Sequence, residues 1–393
     1  MSFGQTPSSI VSDSQSAGLY VHIPFCRAKC LYCDFYSITD LSYKKEFIDA
    51  LVREMEMRGS DELEFDTLYI GGGTPSVLDG EDIHWIVETA RRNFRILADA
   101  EITLEANPGM LNPDKLSAYR RAGANRINIG VQSFQDENLD FLGRIHKGKD
   151  AVLALEAARN AGFANIGIDL VYGLPGQTRE SWRRDLAQAV EFNPAHLSCY
   201  MLTYEPGTLL DKSRLDNRFR PLSDDRAGDL FEATRMFLSR SGYTQYEISN
   251  FARSSGAASE PFRSRHNQKY WSHVPYIGLG PSAHSFNGAQ RYWNIVSVKA
   301  YVEHLASGRL PLAEKETLSR EQWIMETVYL GLRQTRGVFV DEFDRNFGVS
   351  FRSMFGEILK TLEGKGYIEL TENRCALTPR GMLFMDSIVA MLT

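Results

Sequence analysis

The sequence lacks any run of about 18 apolar residues, the length a membrane-spanning helix needs, so no bilayer-crossing segment is expected. It lacks a basic excess: 44 lysines and arginines stand against 50 aspartates and glutamates, for a net charge of −6. That balance offers no electrostatic footprint for a nucleic-acid partner, and none is expected. Residues 1–18 are rich in Ser and Gln but carry neither a basic nor an apolar stretch, so they do not read as a signal peptide. A disordered tail is expected over residues 1–17. Cysteine is scarce and odd in number. Cys26, Cys30, Cys33, Cys199 and Cys375, three of them within eight positions, do not form a disulfide framework. Without an export signal, and with clustered thiols, the expected compartment is the cytoplasm.

What is present is an ordinary apolar share of 43%, enough for large cores. At roughly 150 residues per domain, 393 residues predict two or three domains. The first half alternates strand and helix patterns. Strands are read at Leu19–Ile23, Thr67–Ile70, Glu101–Ala106, Arg126–Gly130, Ile166–Val171 and His196–Met201. Helical spacing of apolar residues falls between them, over Tyr43–Arg58, Ile83–Ala90, Asp150–Ala161 and Glu180–Glu191, and Asn112-Pro113 opens a further helix. Six strand–helix steps of this kind make an α/β fold with parallel strands, either a doubly wound sheet or a (β/α) barrel. Reactive groups in both architectures collect at the carboxyl ends of the strands. The unusual segments lie there: Pro24–Cys33, Gly71–Ser76, Glu105–Gly109, Gln132-Ser133 and Tyr172–Gln177.

Pro221–Ser241 reads as a helix, and an aromatic, glycine-rich stretch follows up to Trp293. From about Leu318, a helical face (Phe351, Phe355, Ile358, Leu359 and Leu362) precedes a hairpin turning at Glu372-Asn373 and a last helix. This resembles a winged helix without a dense basic face.

Cys26, Cys30 and Cys33 stand at C-x3-C-x2-C spacing just after the first strand. Thiolates ligate iron–sulfur clusters, usually four to a cubane. Three local thiols would leave one iron open, as reactive metal sites require. A zinc ion held by the three thiolates with His22 or Asp34 is the plainer alternative. Cys199 reads as core and Cys375 as incidental.

C-x3-C-x2-C after the first strand, with Gly71-Gly72-Gly73-Thr74-Pro75 after the second, resembles the radical S-adenosylmethionine (SAM) superfamily. That resemblance implies a partial (β/α)6 barrel over residues 18–235. It would hold a [4Fe-4S] cluster on Cys26, Cys30 and Cys33. SAM would chelate the open iron and be cleaved by one electron to methionine and a 5′-deoxyadenosyl radical. The remaining boundaries are an α+β extension over 236–315 and a winged-helix-like domain over 316–393. Further motifs are similar to the coproporphyrinogen-oxidase-like branch: Gly130-Val131-Gln132-Ser133-Phe134, Leu142-Gly143-Arg144-Ile145-His146 and Asp169-Leu170-Val171-Tyr172-Gly173. By that resemblance Tyr20, Gly72, Gly73, Thr74 and Glu105 contact the first SAM and Tyr32 stacks near its adenine. Gln132, Arg144 and Asp169 line an adjoining pocket. Taken without the resemblance, Glu105 is a solvated loop acid and Arg144 with Asp169 an ordinary ion pair.

One position departs from the decarboxylating enzymes of the branch. They carry a further cysteine two places after the last cluster ligand, where this chain has Phe35. His266-Asn267-Gln268-Lys269-Tyr270-Trp271 resembles instead the haem-binding motif of the haem chaperones in this branch. Physically, His266 offers a common axial ligand, Tyr270 a ring or phenolate, and Trp271 an apolar wall, and the resemblance places Asn267 in the same haem motif. The plainer alternative has His266 and Asn267 bonding a loop while Tyr270 and Trp271 pack. His273 and His284 compete as ligands. The resemblance implies haem as cargo and haem-acceptor proteins such as respiratory cytochromes as partners. It also implies an electron donor such as a flavodoxin or ferredoxin, and leaves open a homodimer and peripheral membrane contact. Two rival readings are oxygen-independent coproporphyrinogen III oxidase and a two-SAM methylase or cyclopropanase.

Overall fold

The computed structural model describes residues 16–255 and 262–392. The tail expected over 1–17 lies almost wholly outside them, as does part of the polar loop after Arg253. Six parallel strands pair in sequence order: β1 (Ala17–Ile23), β2 (Ser60–Gly72), β3 (Phe94–Ala106), β4 (Arg126–Gln132), β5 (Asn165–Tyr172) and β6 (His196–Met201). Between them run α1 (Lys44–Arg58), α2 (Gly80–Asn93), α3 (Pro113–Arg121), α4 (Asp136–Leu142), α5 (Gly148–Asn160) and α6 (Arg179–Glu191). The consecutive order fits a singly wound partial barrel and excludes the doubly wound sheet, whose strand order reverses. The core lies between the strands and these helices, with Leu19, Val21, Ile70, Leu104, Ile129 and Ile168 buried. Local capping starts the helices where the sequence suggests. Asn112 accepts from Lys115 N ahead of Pro113 in the first turn, and Thr178 accepts from Ser181 N.

Beyond β6 come α7 (Leu209–Leu215), α8 (Asp224–Arg240), β7 (Tyr243–Gln245), β8 (Asn250–Arg253), α9 (Arg265–Trp271) and β9 (Tyr276–Leu279). Then follow β10 (His284–Phe286), β11 (Gln290–Asn294), α10 (Val298–Ala306) and β12 (Leu312–Thr317). These strands form no sheet of their own. They lengthen the barrel sheet at both edges, with β8 and β7 beside β6, and β9 to β12 beyond β1. The expected boundary at 235 falls inside α8, so it does not divide the structure. Strands β2 and β3 also run longer than their apolar cores suggest, because their leading halves carry polar residues, with Glu62 and Asp99 exposed.

The C-terminal unit holds α11 (Arg320–Arg333), β13 (Val338–Phe339), α12 (Val340–Phe347), α13 (Phe351–Gly364), β14 (Ile368–Leu370), β15 (Arg374–Leu377), α14 (Pro379–Met382) and α15 (Met385–Leu392). Its three-stranded sheet, ordered β13-β15-β14, and the helices before the hairpin have the winged-helix order. Phe343, Phe351 and Phe355 pack edge to face at its centre.

Candidate functional site

The cysteine loop leaves β1 at Pro24 and is closed at its base by the backbone. Cys26 N donates to Ile38 O at 2.9 Å and Ile38 N to Pro24 O at 2.8 Å. Cys26 is buried, while Cys30 and Cys33 are half-exposed, and all three are free thiols. Burial pushes the Cys33 thiol above its usual range. Among the described residues, no three His, Cys, Asp or Glu side chains are disposed to hold one metal ion. A cubane, taking one thiolate per iron, does not ask the sulfurs to converge on one point.

The glycine run passes directly against this loop. Gly73 N donates to Ile23 O at 2.8 Å and Thr74 N to Phe25 O at 2.7 Å. A Cβ at Gly73 would lie 2.7 Å from Phe25 O, and Gly72 has φ +106 with the His22 ring 2.6 Å from where its Cβ would stand. Both positions therefore demand glycine to seat β2 on the cysteine loop. Thr74 Oγ1 reaches Cys26 Sγ at 3.3 Å.

Glu105, at the end of β3, is held from two sides. Tyr69 Oη donates to Oε1 at 2.6 Å and Gly72 N to Oε2 at 3.1 Å. Burial pushes this carboxyl up to about 7 despite those bonds. It is no solvated loop acid. Tyr20 Oη meets His22 Nδ1 at 3.0 Å, and His22 Nε2 meets Tyr36 O at 2.9 Å. Gln132 ends β4 in the left-handed region, at φ 65. Arg144 and Asp169 do not form an ion pair. The Arg144 guanidinium donates to Cys30 Sγ at 3.2 Å and Gly130 O at 2.8 Å. Asp169 Oδ2 accepts from Asn128 Nδ2 at 2.5 Å, and its Oδ1 is buried without a hydrogen-bond partner among the described residues. Tyr32 packs with Leu31 against Leu142 and Leu210, and Leu31 N bonds Leu142 O at 3.2 Å. The loops carrying Cys30, Arg144 and α7 are thus one packed lip. Phe35 stands clear of it, 69% exposed.

The sequence reading missed Tyr69, Asn128 and Tyr36. Tyr69 had a signal, since it stands two residues before Gly71 and so shares its strand face. Asn128 and Tyr36 had none.

His266, Asn267, Tyr270 and Trp271 lie on α9, which closes the opposite end of the barrel. Asp66, before the core of β2, pairs with Arg265 at 2.9 Å and with Lys269. Glu101 of β3 accepts from the Arg265 and His266 backbone N–H groups, both at 3.3 Å. The expected open imidazole at His266 is not found. It is 1% exposed, with Nδ1 on Thr67 Oγ1 at 2.8 Å and Nε2 on Tyr270 Oη at 2.8 Å. The Tyr69 ring stacks on it at 5.1 Å. Burial, then the charges of Lys269 and Arg126, hold this imidazole down to about 3. Both ligating atoms are occupied because α9 is drawn into the barrel by its two anchors. Trp271 lies at the C-terminal unit, its carbonyl accepting from Gln334 Nε2 at 3.0 Å and its ring 5.8 Å from the Arg333 guanidinium. Asn267 is half-buried.

Sequence comparison agrees with this layout. The family described as the Radical SAM superfamily matches residues 20–189, and the HemN C-terminal domain matches 318–384. The heme chaperone HemW of Bacillus subtilis is 35% identical over 373 residues, covering 94% of this chain and 97% of that protein. The chain belongs to the HemW family. Another HemW relative, from Escherichia coli, is 41% identical over 271 residues, 68% of this chain and 69% of its own. The coproporphyrinogen III oxidase (HemN) of Escherichia coli, a solved radical SAM enzyme, superposes with a TM-score of 0.82 at 27% identity. That match covers 99% of this HemW-family chain and 93% of the oxidase.

Proposed function

We propose that this chain binds haem and delivers it to acceptor haemoproteins such as respiratory cytochromes, with a [4Fe-4S] cluster and SAM held at the barrel mouth. Membership of the HemW family carries the cargo reading. The donor set supports the cofactors. Cys26, Cys30 and Cys33 are the thiolates for three irons. Glu105, half-buried and held by Tyr69 and Gly72, and Asp169, whose Oδ1 lacks a hydrogen-bond partner among the described residues, are acceptors suited to the amine and ribose hydroxyls of SAM. Cluster and SAM together supply one-electron chemistry when bound. Arg144 orients Cys30 and brings positive charge to the thiolate side of the site. Thr74 does the same at Cys26 without charge. Partners under this reading are a haem acceptor and a reductant of the flavodoxin or ferredoxin kind, in the cytoplasm. Among the described residues, no helix is long and apolar enough to cross a membrane.

Porphyrinogen oxidation is the weaker reading. Phe35 replaces the further cysteine of the decarboxylating enzymes, and identity to the solved oxidase is 27% against 35% and 41% for the two chaperones. Anaerobic reconstitution with iron and sulfide, followed by parallel assays of haem binding and 5′-deoxyadenosine formation, tests both. Wild-type protein that takes up no stoichiometric haem would sink the chaperone reading. Turnover of coproporphyrinogen III would establish the oxidase.

A further inference from the structure

Arg126, at the start of β4, is 1% exposed, and only Trp182 among the fully buried side chains is larger. Its guanidinium forms no ion pair among the described residues, and its Nε has no hydrogen-bond partner there. A buried cation without a direct partner is costly to keep.

The sheet fixes where this charge sits. Arg126 and Asn128 share one face of β4, and Gly167 and Asp169 share one face of β5. Asn128 is in register with Glu105 on one side and Gly167 on the other. A Cβ at Gly167 would stand 2.2 Å from Asn128 Oδ1 and 3.5 Å from a terminal nitrogen of Arg126. Glycine there lets both side chains lie across β5, just before Asp169. On the other side Arg126 is in register with Thr103, two residues before Glu105. Glu105 therefore stands about 7 Å further along the barrel than the Arg126 backbone. Both half-buried carboxyls thus lie beyond the guanidinium, toward the cysteine loop.

Burial raises Glu105 and Asp169 alike, and Asp169 raises Glu105 further, while the Arg126 charge acts on both in the opposite sense. Around Arg126 also stand Tyr69, Glu101, His196, Tyr246 and His266. Around the two carboxyls stand Tyr20, Arg144, Cys199, Tyr200 and Tyr270. Burial keeps these hydroxyls and the thiol protonated and the two imidazoles neutral. Arg144 is committed to Cys30 and Gly130, and Glu101 to the backbone of α9. Arg126 is left as the uncommitted cation that the two carboxyls share. A direct ion pair would occupy one of them. Standing off, the cation acts on both and leaves their oxygens to a ligand.

We infer that Arg126 is a positioning residue of the SAM site, held beneath the pocket without a partner so that Glu105 and Asp169 can be charged together where the SAM amine and ribose hydroxyls meet them. The inference rests on the SAM reading under the proposed function and names what sets the pH range of that site.

Equilibrium dialysis of SAM against the cluster-loaded protein, from about pH 6 to about pH 9, tests it. Arg126→Met should move the fall in affinity upward by about one pH unit, which lowers affinity at pH 7 about fivefold and spares it at the alkaline end. Arg126→Lys should keep the wild-type midpoint. Glu101→Gln, which removes an acid drawing on the Arg126 charge, should move the midpoint the other way. An unmoved profile in Arg126→Met, or one weakened equally at every pH, overturns the proposal, as does a lysine variant that behaves like the methionine one. Should Arg126→Met not fold, an unmoved midpoint in Glu101→Gln overturns it. Wild-type protein that binds no SAM at any pH fails the SAM reading instead, before any variant is compared.

Discussion

Toward the carboxyl ends of the barrel strands, Asp169 Oδ1 is buried without a well-formed hydrogen bond among the described residues, with the Ser198 hydroxyl beside the carboxylate, and three thiols stand free. At the amino ends, α9 is strapped down by Asp66 and Glu101, and both nitrogens of His266 are bonded. Both regions hold residues chosen by motif. The mouth keeps buried polar groups unmatched, which is costly unless a ligand completes them. At the floor His266 is matched on both ring nitrogens, although the nearby Arg126 Nε has no hydrogen-bond partner among the described residues. A motif residue's readiness to bind is thus read from what its polar atoms already touch.

The largest expected effect is at the mouth. Replacing Cys26, Cys30 and Cys33 together by alanine should reduce iron and sulfide retained after anaerobic reconstitution to background. Retained cluster would break the assignment of the mouth as a metal site. At the floor, His266→Ala should destabilise the fold by about 2–4 kcal/mol, since the Thr67 and Tyr270 hydroxyls each lose a buried partner. Urea unfolding measures this, and an unchanged midpoint would mean the floor is not closed as described. Cluster loading should be unaffected.

A smaller effect concerns Glu105. Its carboxyl is raised to about 7, so it is ionised above that pH and neutral below it. SAM amine and hydroxyl donors bind the ionised form, so SAM affinity should fall roughly fivefold from pH 7 to pH 6. Equilibrium SAM binding checks the slope, and Glu105→Gln should flatten it. A slope that persists in the variant would place the titrating group elsewhere. The smallest effect is at Phe35, whose ring is 69% exposed. Phe35→Ala should change stability by no more than about 0.5 kcal/mol. A larger loss in the same unfolding assay would show the ring packed against the lip.

Much of the mouth was legible in residue order. The three thiols lie in one loop, and Gly71 to Thr74 follow a single strand, so spacing alone brings their chemistry together. The alternation of strands and helices likewise announced a parallel α/β fold, without choosing between a barrel and a doubly wound sheet. The extension was less legible, because β7, β8 and β10 span three to four residues each, and such short runs carry little periodicity. Their place at the two edges of one sheet depends on pairing between distant segments.

Residue order alone could state that His266, Tyr270 and Trp271 share a short stretch with the right chemistry. It could not state that this stretch folds inward. Thr67 and His266 are 199 positions apart, and their hydrogen bond exists only because β2 and α9 are packed together. Local spacing sets which ligands can share a loop, since neighbours in the chain are neighbours in space. Burial sets which of them stay available, and burial is a property of contacts between remote parts of the chain.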